Sequence, residues 1–279
     1  MVNFNGTIVS SSDNILAENR AFLYGDGVFE TVKVLDGKVL FLEDHYFRLM
    51  SGMRIVRMKI PMFFTMEFLE SQLLETAKYN NCLDSGRVRI TVFRNSGGFY
   101  LPNDHTVSFA ISAIGLDYKM YAANSQNYEV DLFKDFYITK QLLSTIKTTN
   151  KLINITGSIY AEENGLQNCL LLNDAKNVVE ALNGNVFMLT GNRLVTPPVE
   201  DGCLNGVMRR QILTLAKKIE GIELSEMSIS PFDLQKADEI FITNVIKGIQ
   251  SVTKYRKKEF TTTFAENLVV KLNAQIRLG

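Results

Sequence analysis

Alternating and continuous apolar residues divide the chain into short strands and amphipathic helices. Gly27–Leu35 is rich in β-branched and aromatic residues, which predicts a strand, and the Asp36-Gly37 pair that follows is typical of a hairpin turn. Across Met66–Tyr79, apolar residues recur at helical spacing after Thr65, a residue type that often caps a helix N-terminus. The first third of the chain therefore predicts a sheet accompanied by helices.

The same patterns predict elements along the rest of the chain. Strands are expected at residues 4–9, 38–42, 87–94, 106–114, 133–138, 168–172, 178–182 and 186–190, and helices at 45–53, 206–219 and 263–278. Asn205 is the expected cap of the helix at 206. Ser230-Pro231 predicts a further helix start, because proline is tolerated at the first helical position.

A polar stretch with little hydrophobic pattern, including Asn124-Ser125-Gln126-Asn127, lies between residues 115 and 129. Such a stretch is typical of a linker, so we predict a small N-terminal lobe at 1–115, a linker at 116–128 and a larger C-terminal lobe at 129–279. Strands and helices interleave without a regular βαβ rhythm. The predicted fold class is therefore α+β rather than a doubly wound parallel sheet.

Composition excludes several classes of protein. Of 279 residues, 46% are apolar and 22% are charged, which excludes a disordered chain and a coiled coil. Thirty basic and thirty acidic residues cancel, so no overall charge favours nucleic acid or an acidic membrane surface. No apolar run approaches the roughly 18 residues of a membrane span, and the first residues lack a signal-peptide pattern. We expect a soluble cytoplasmic protein with no nucleic-acid or membrane partner.

The motifs that the chain lacks narrow its chemistry. No GxGxxG, GxxxxGK[ST], HExxH or GxSxG sequence occurs. The three cysteines are widely separated, and the two histidines, His45 and His105, stand apart from other metal-binding residue types. We therefore expect no metal site and no serine–histidine catalysis, which leaves acid–base work to lysine, carboxylate or tyrosine side chains.

Candidate chemistry is concentrated in four separated segments. They are YGDGVFE at 24–30 with HYFRL at 45–49, IKTTN at 146–150, VEALNGNVF at 179–187, and TPP at 196–198 with GCLNGVMR at 202–209. In order, spacing and wording they resemble the class IV aminotransferases, the fold-type IV pyridoxal-phosphate enzymes. That family includes branched-chain aminotransferase, D-amino acid aminotransferase and aminodeoxychorismate lyase. The resemblance runs nearly end to end, as far as ADE at 237–239 and TN at 243–244.

The resemblance implies both a fold and a cofactor. The implied fold is the two-lobed, D-amino acid aminotransferase-like fold of type IV, with a small N-terminal α/β lobe and a larger C-terminal lobe built on a mixed sheet or barrel. The implied cofactor is pyridoxal 5'-phosphate. The family also implies small-molecule substrates, an amino acid and a 2-oxo acid, and assembly as a homodimer.

Two residues match the catalytic centre of the family. Lys147 matches the Schiff-base lysine, whose amine is nucleophilic only when deprotonated. Glu180 matches the carboxylate that pairs with the pyridine nitrogen, so that the ring can accept electrons from the substrate Cα. By position alone, Lys147 is also compatible with a solvated lysine and Glu180 with a strand-end glutamate that faces water.

A phosphate site is implied by residues at a predicted helix start. The residues that match Val207 and Met208 offer backbone N–H groups, which together with the helix dipole favour an anion, and Gly206 permits close approach. The residue that matches Leu204 packs against the cofactor ring, and Arg48 matches the phosphate arginine. Without the resemblance, Arg48 is compatible with a surface position on its helix and Gly206 with an ordinary helix-start glycine.

A turn in the last part of the chain matches a second loop for the phosphate and the substrate carboxylate. It contains Asn244, Val245 and Ile246. Branched-chain enzymes carry a hydroxyl residue where this chain has Val245. The resemblance therefore transfers only backbone N–H contacts from Val245 and Ile246.

Residues that select the substrate leave its identity open. Arg87 and Arg89 alternate on one face of a predicted strand, and Arg89 matches a substrate-side arginine of branched-chain enzymes, a candidate for the α-carboxylate. Phe29 and Tyr100 indicate an apolar pocket. The D-amino acid enzymes have a tyrosine in place of Phe29, which disfavours D-specificity. A solvent-facing role for the arginines and a core role for Phe29 are also compatible with the pattern.

Three functions remain open from the sequence. We expect an aminotransferase that moves an amino group between an amino acid and a 2-oxo acid through a Schiff base at Lys147. An aminodeoxychorismate lyase, which releases pyruvate to give 4-aminobenzoate, shares every cofactor residue, and residues 94–98 and 147–150 look more like the lyases or D-amino acid enzymes than branched-chain enzymes. A non-catalytic binding module is the third alternative, disfavoured because Lys147 and Glu180 are both present.

Overall fold

The computed structural model describes residues 1–10, 18–124 and 126–278. The chain divides into two compact units, the first made of Met1–Lys119 with Ile146–Asn150 and the second of Met120–Thr145 with Lys151–Gly279. The predicted lobes differ from this division at 146–150, which they place in the C-terminal lobe. That segment belongs to the first unit because its main chain hydrogen-bonds to a strand there. Ser125 of the predicted linker lies outside the described residues.

Helices and strands follow one another without a βαβ pattern, so the predicted α+β class is confirmed. The helices are α1 (Arg20–Tyr24), α2 (Leu42–Ile55), α3 (Met66–Tyr79), α4 (Leu152–Glu163), α5 (Val207–Ala216) and α6 (Thr263–Leu278). The strands of the first unit are β1 (Val2–Phe4), β2 (Thr7–Val9), β3 (Gly27–Leu35), β4 (Lys38–Val39), β5 (Ser85–Arg94) and β6 (Val107–Gly115). The strands of the second unit are β7 (Glu129–Ile138), β8 (Asn168–Asn173), β9 (Val178–Ala181), β10 (Asn185–Thr190), β11 (Arg193–Thr196), β12 (Glu223–Glu226), β13 (Glu239–Asn244), β14 (Gly248–Val252), β15 (Lys254–Tyr255) and β16 (Lys258–Glu259).

The first unit is built on an antiparallel six-stranded sheet with the order β2-β1-β6-β5-β3-β4. One face carries apolar side chains of β3 and β5, such as Val32 and Ile90, which are buried together with Leu49 of α2 and Leu73 of α3. Side chains of a strand alternate between the two faces of its sheet. The helices therefore cover one face, and the other face carries the remaining residues of β3 and β5, several of them charged.

Two predicted elements of the first unit are corrected by the structure. The strand predicted at 4–9 is the hairpin of β1 and β2, because Asn5 and Gly6 have positive φ angles of 49° and 88° and form a turn. The helix predicted at 45–53 begins earlier, at Leu42, so the preceding strand ends at Val39. Strand β3, helix α3 with its Thr65 cap, and helix α6 have the predicted bounds.

The second unit contains two five-stranded sheets. One has the order β12-β11-β10-β13-β14 and the other β16-β15-β7-β8-β9, and each combines parallel and antiparallel pairs. The two sheets share a core in which Val130 and Leu170 are buried together with Val186 and Ile240. The mixed-sheet architecture implied by the family resemblance is confirmed.

Two helix starts of the second unit differ from the prediction. Helix α5 begins at Val207, and its N-cap is Gly206 in an extended conformation, with no capping side chain. The prediction of Asn205 as the cap is therefore wrong. The helix start expected at Ser230-Pro231 is followed only by a short 3-10 turn at Asp233–Gln235.

Helix α4 has no counterpart among the predicted elements. Its strongly exposed residues include Leu152, Ile155 and Ile159, so apolar side chains occur on its exposed side as well as its buried side and hide the helical period. Among the described residues, no helix is both long and apolar enough to cross a membrane.

Candidate active site

Residues 146–150, which we call the lysine segment, lie against the first residues of β3. The N–H of Phe29 donates to the Lys147 carbonyl (2.8 Å), and the N–H of Thr149 donates to the Gly27 carbonyl (2.9 Å). The strand β4 pairs only with the far end of β3, which leaves this edge for the lysine segment. An isolated β-bridge between Val28 and Thr148 therefore joins the lysine segment to the edge of the sheet and fixes the backbone around Lys147.

Lys147 and Arg89 lie against the same aromatic ring. The centroid of the Phe29 ring is 4.5 Å from Lys147 Nζ and 3.7 Å from Arg89 Cζ. Phe29 is buried, and both cations are half-buried. Burial, together with the nearby charge of Arg87, lowers the pKa of Arg89 from its usual value. The structure thus brings the predicted lysine together with two of the predicted substrate residues.

Glu30 points to the opposite face of β3, where α2 covers the sheet. Its carboxylate accepts hydrogen bonds from Arg48 Nε (2.7 Å) and Nη2 (2.6 Å), and it lies 2.8 Å from His45 Nδ1. The side chains of all three residues are almost fully buried. Glu30 therefore fixes the orientation of Arg48, the predicted phosphate arginine, through a bidentate pair.

Burial and charge act in opposite directions on this cluster. Burial by itself raises the pKa of Glu30, but the charge of Arg48 and the hydrogen bonds from His45 and Arg48 outweigh it and lower that pKa to about 2. Burial lowers the pKa of His45 below its usual 6.5, against the opposing influence of Glu30. Glu30 is therefore ionised and His45 neutral near pH 7. His45 Nε2 has no hydrogen-bond partner among the described residues.

The predicted substrate residue Tyr100 lies on a solvent-exposed loop. Arg20 is buried, and it donates through Nη1 to the carbonyls of residues 97–99 and through Nε to Asp26. The Tyr100 ring lies 5.9 Å from that of Tyr24, and its side chain is 91% exposed. The structure therefore anchors the loop backbone while its apolar side chains face solvent.

In the second unit, Glu180 is tied to the loop that precedes α5. Its Oε2 accepts a hydrogen bond from the N–H of Leu204 (2.9 Å), and the Leu204 carbonyl accepts one from Asn185 Nδ2 (2.8 Å). Burial and the charge of Glu180 raise the pKa of the neighbouring Cys203 thiol to about 12. Asn185 begins β10 and pairs with Thr243 at the end of β13. The structure thus brings Glu180 and Leu204 together and places the end of β13 beside them.

The N-terminus of α5 has the features of an anion site. Its N-cap, Gly206, provides no side-chain cap, and the N–H groups of Val207 and Met208 lie at the positive end of the helix dipole. A Cβ on Gly206 would lie 1.9 Å from Asn185 Oδ1. Glycine therefore fits at this position without displacing Asn185, and a larger residue does not.

The turn between β13 and β14 is closed by its own asparagine. Asn244 Oδ1 accepts hydrogen bonds from the N–H groups of Ile246 (3.1 Å) and Lys247 (2.9 Å). The family resemblance implies that the N–H of Ile246 contacts a ligand, but this N–H already donates to Asn244 within the turn. Of the two expected backbone donors, only the N–H of Val245 remains for a ligand. The Tyr121 hydroxyl supports the turn by donating to the Val245 carbonyl (2.6 Å).

The chain is similar to known proteins along most of its length. The family model for amino-transferase class IV matches residues 27–255. This chain belongs to the class IV aminotransferases. It is 31% identical to a Methanocaldococcus jannaschii protein assigned as a branched-chain-amino-acid aminotransferase, over 89% of this chain and 85% of that protein. It is 27% identical to the D-alanine aminotransferase of Listeria innocua, again over 89% of this chain and 85% of the relative.

Solved structures share the fold of this class IV aminotransferase. The branched-chain aminotransferase of Thermoproteus uzoniensis, solved with norvaline, is similar with a TM-score of 0.88 and 24% identity, over 99% of this chain and 93% of that one. The 4-amino-4-deoxychorismate lyase of Pseudomonas aeruginosa is similar with a TM-score of 0.82 and 24% identity, over 99% and 98%. The fold implied by the sequence resemblance is therefore confirmed.

Class IV aminotransferases depend on pyridoxal phosphate, and the residues of each unit fit that cofactor in chemical type. The first unit offers the Lys147 amine and the Arg48 guanidinium. The second unit offers the Glu180 carboxylate and the uncapped N-terminus of α5. These groups match an aldehyde, a phosphate and a ring nitrogen. In the described part of the chain, no cluster of three or more His, Cys, Asp or Glu residues is placed to hold a metal ion.

Glu30 and Asn185 hydrogen-bond to the candidate residues Arg48 and Leu204, and His45 contacts Glu30, although the sequence patterns do not single these three residues out. A signal for Glu30 exists, because a carboxylate inside an otherwise apolar strand must be paired when it is buried. His45 and Arg48 are three residues apart on α2 and so share one face of that helix. Asn185 stands in a quoted segment, but its contact with Leu204 is visible only in the folded chain.

Proposed function

We propose that this class IV aminotransferase uses Lys147 as its catalytic residue to move an amino group between an amino acid and a 2-oxo acid. The observation that carries the proposal is the arrangement around Phe29. Its main chain fixes the lysine segment, and its ring lies against both the Lys147 amine and the Arg89 guanidinium. A nucleophile therefore stands beside a group that binds carboxylates.

When bound, pyridoxal phosphate supplies the aldehyde that carries the amino group and a ring that takes up the electron pair released at the substrate Cα. Lys147 would hold the cofactor through its Nζ and would move a proton at the substrate Cα, because a neutral amine is both a nucleophile and a base. Phe29 and the lysine segment orient this amine.

Glu180 would face the ring nitrogen of the cofactor. Its carboxylate accepts a hydrogen bond from the N–H of Leu204, which keeps one oxygen in place. An ionised carboxylate next to the ring nitrogen keeps that nitrogen protonated, which is the state that accepts electrons. Leu204, in the same loop, would pack against the ring.

The phosphate would be bound by backbone donors and one arginine. The N–H groups of Val207 and Met208 start α5, and Gly206 keeps that approach open. Val245 offers a further N–H from the turn that Asn244 closes. In the first unit, Glu30 holds Arg48 in a fixed orientation, which prepares its guanidinium for a dianion.

Arg89 is our candidate for the substrate α-carboxylate, and Phe29 for an apolar wall beside it. By their names, the relatives act on branched-chain amino acids and on D-alanine. Because the D-amino acid enzymes resembled by this chain have a tyrosine at the position of Phe29, we propose L-amino acids as donors. The substrate roles of Tyr100 and Ile246 stay predictions.

The test compares Lys147→Ala with Lys134→Ala, which changes an exposed lysine of the second unit. The protein reconstituted with pyridoxal phosphate is assayed for amino transfer from L-amino acids to 2-oxo acids. The attachment site is located by borohydride reduction and peptide mass spectrometry. We expect the wild type and Lys134→Ala to be active and labelled at Lys147, and Lys147→Ala to be inactive and unlabelled. Attachment at another lysine contradicts the proposal.

The same preparation distinguishes the aminotransferase from the lyase alternative. The lyase is considered because the Pseudomonas aeruginosa lyase shares the fold and because residues 94–98 look like those of the lyases or D-amino acid enzymes. Formation of pyruvate and 4-aminobenzoate from aminodeoxychorismate, without amino transfer, would replace the aminotransferase with the lyase. A protein that binds the cofactor but carries out neither reaction would be the non-catalytic binding module.

We also propose a cytoplasmic homodimer. The large exposed apolar side chains of the second unit include Phe136, Leu142, Leu143, Leu152, Ile155 and Ile159. A second copy that covers them would remove apolar area from water. The three cysteines are buried free thiols, as is usual in a reducing compartment. Light scattering of the wild type should give a dimer mass that Ile155→Glu reduces, and a monomeric wild type contradicts the homodimer.

A further inference from the structure

The Tyr121 side chain supports the turn between β13 and β14 at two places. Its hydroxyl donates to the Val245 carbonyl (2.6 Å). Its ring packs against Gly248, the first residue of β14, where an added Cβ would come within 2.7 Å of the ring carbons. Gly248 has a φ of 75°, and Tyr121 is buried, with 4% of its surface exposed. One tyrosine therefore packs against an end of the turn and hydrogen-bonds to its middle.

This support acts on the peptide unit between Val245 and Ile246. The Tyr121 hydroxyl binds the carbonyl end of that unit, and Asn244 Oδ1 accepts a hydrogen bond from its N–H end, at Ile246 (3.1 Å). The two bonds fix the orientation of the whole unit, because a peptide unit is planar. The preceding unit carries the Val245 N–H and joins this one at the Val245 Cα. Fixing one unit therefore restricts the directions in which the other can donate.

Tyr121 is itself held in place by an asparagine of α6. Asn273 Oδ1 accepts a hydrogen bond from the Tyr121 N–H (3.2 Å), and Asn273 Nδ2 donates to the Tyr121 carbonyl (2.8 Å). Asn124 makes the same pair of bonds with the N–H (2.8 Å) and the carbonyl (3.1 Å) of Ser251 in β14. The start of the second unit, predicted to be a linker, is thus fastened to α6 and β14 by two side-chain amides, each of which donates and accepts.

We propose that Tyr121 is a positioning residue that directs the Val245 N–H towards the phosphate of the cofactor. This role rests on the proposed function, because it concerns the phosphate site of the same enzyme. Tyr121 acts through the turn and needs no contact with the ligand. Its hydroxyl fixes the donor before the phosphate binds, so less conformational freedom is lost on binding. Without the hydroxyl, the Val245 carbonyl would be free to rotate towards the anion and repel it.

The test measures the dissociation constants of pyridoxal phosphate and of pyridoxal for the apoenzyme of each variant. Pyridoxal has the same ring and aldehyde but no phosphate, so the ratio of the two constants isolates the contribution of the phosphate. We expect Tyr121→Phe to raise the constant for pyridoxal phosphate about tenfold and that for pyridoxal less than about twofold, because it loosens one donor to a charged group. A merely structural role would raise both constants alike and leave their ratio unchanged.

Tyr46→Phe is the matched control, since the Tyr46 hydroxyl in the first unit also donates to a main-chain carbonyl, that of Phe64 (3.0 Å). Its ratio should equal that of the wild type. Asn273→Ala should change the ratio in the same direction as Tyr121→Phe, because it releases the main chain of Tyr121.

An unchanged ratio in Tyr121→Phe, or in Asn273→Ala where Tyr121→Phe does not fold, overturns the role of Tyr121 and leaves the aminotransferase intact. A wild-type protein that does not bind pyridoxal phosphate refutes the proposed function instead.

Discussion

The main-chain N–H of Phe29 donates to the carbonyl of Lys147, and this hydrogen bond holds the lysine segment against the edge of the first unit's sheet beside the isolated β-bridge of Val28 and Thr148. Because the bond is made at the lysine itself, the position of β3 fixes the main chain from which the amine extends. The residues around the start of β3 therefore control the geometry of the catalytic residue that we propose.

Gly25→Ala should destabilise the contact between the start of β3 and the lysine segment, and should cost more unfolding free energy than backbone strain alone explains. Gly25 has φ of 66°, and a Cβ there would lie 2.3 Å from Asn150 Oδ1 at the end of the lysine segment. Gly37 has φ of 75° with nothing near its Cβ, so Gly37→Ala reports the strain alone. We expect Gly37→Ala to cost about 1 kcal/mol and Gly25→Ala roughly 1 kcal/mol more, with lower activity. Urea unfolding and kcat measure both effects, and equal costs would refute the contact.

Glu30→Gln should reduce the loss of unfolding free energy that accompanies a fall in pH. The pKa of Glu30 falls from 4.5 to about 2 on folding, so its stabilisation is fully present above pH 4.5 and is lost as the pH falls towards 2. By proton linkage, this difference between the folded and unfolded pKa values corresponds to a stabilisation of roughly 3 kcal/mol. Urea unfolding between pH 7 and pH 3 should show a smaller acid loss in Glu30→Gln than in the wild type. The exposed Glu43→Gln, also on this part of the chain, should follow the wild type.

His45 should make a separate contribution to the pH dependence of the unfolding free energy near pH 6. Its folded pKa lies below 6.5, so the unfolded chain binds a proton first and stability is lost as the pH falls below 6.5. His45→Gln should remove this slope between pH 7 and pH 5, whereas His105→Gln should retain it. The measurement is the free energy of unfolding at closely spaced pH values. A wild-type curve that is flat across this range would contradict the neutral His45.

Gly206→Ala should weaken cofactor retention. The added methyl would overlap Asn185 Oδ1 at 1.9 Å and force apart the residues around the α5 N-terminus, where we place the phosphate. We expect the dissociation constant for pyridoxal phosphate to rise about tenfold or more, as for the loss of charged hydrogen bonds. Gly52→Ala is the control, because a Cβ there meets Val28 at an ordinary 3.7 Å. An unchanged dissociation constant for pyridoxal phosphate in Gly206→Ala would contradict the placement of its phosphate at the N-terminus of α5.

Much of the fold is predictable from residues that are neighbours along the chain. Strand β3 and helices α3 and α6 have the predicted bounds because β-branched runs, helical periodicity and a Thr65 cap act within a few residues. The hairpin of β1 and β2 is also predictable from local sequence, since Asn5-Gly6 is itself a turn signal. Helix α4 is not predictable in this way, because apolar side chains on its exposed side hide the helical period.

By itself, the amino-acid sequence determined the family, the α+β class and the residue types available for chemistry, since those depend on residue identity and order. Only the tertiary structure decided that the lysine segment joins β3, that Glu30 holds Arg48, and that Asn244 uses the N–H of Ile246. It also decided that Lys33 and Arg87 stand opposite each other. The physical reason is that hydrogen bonds, ion pairs and like-charge contacts depend on distances in space, and strand register brings together residues that no local pattern relates.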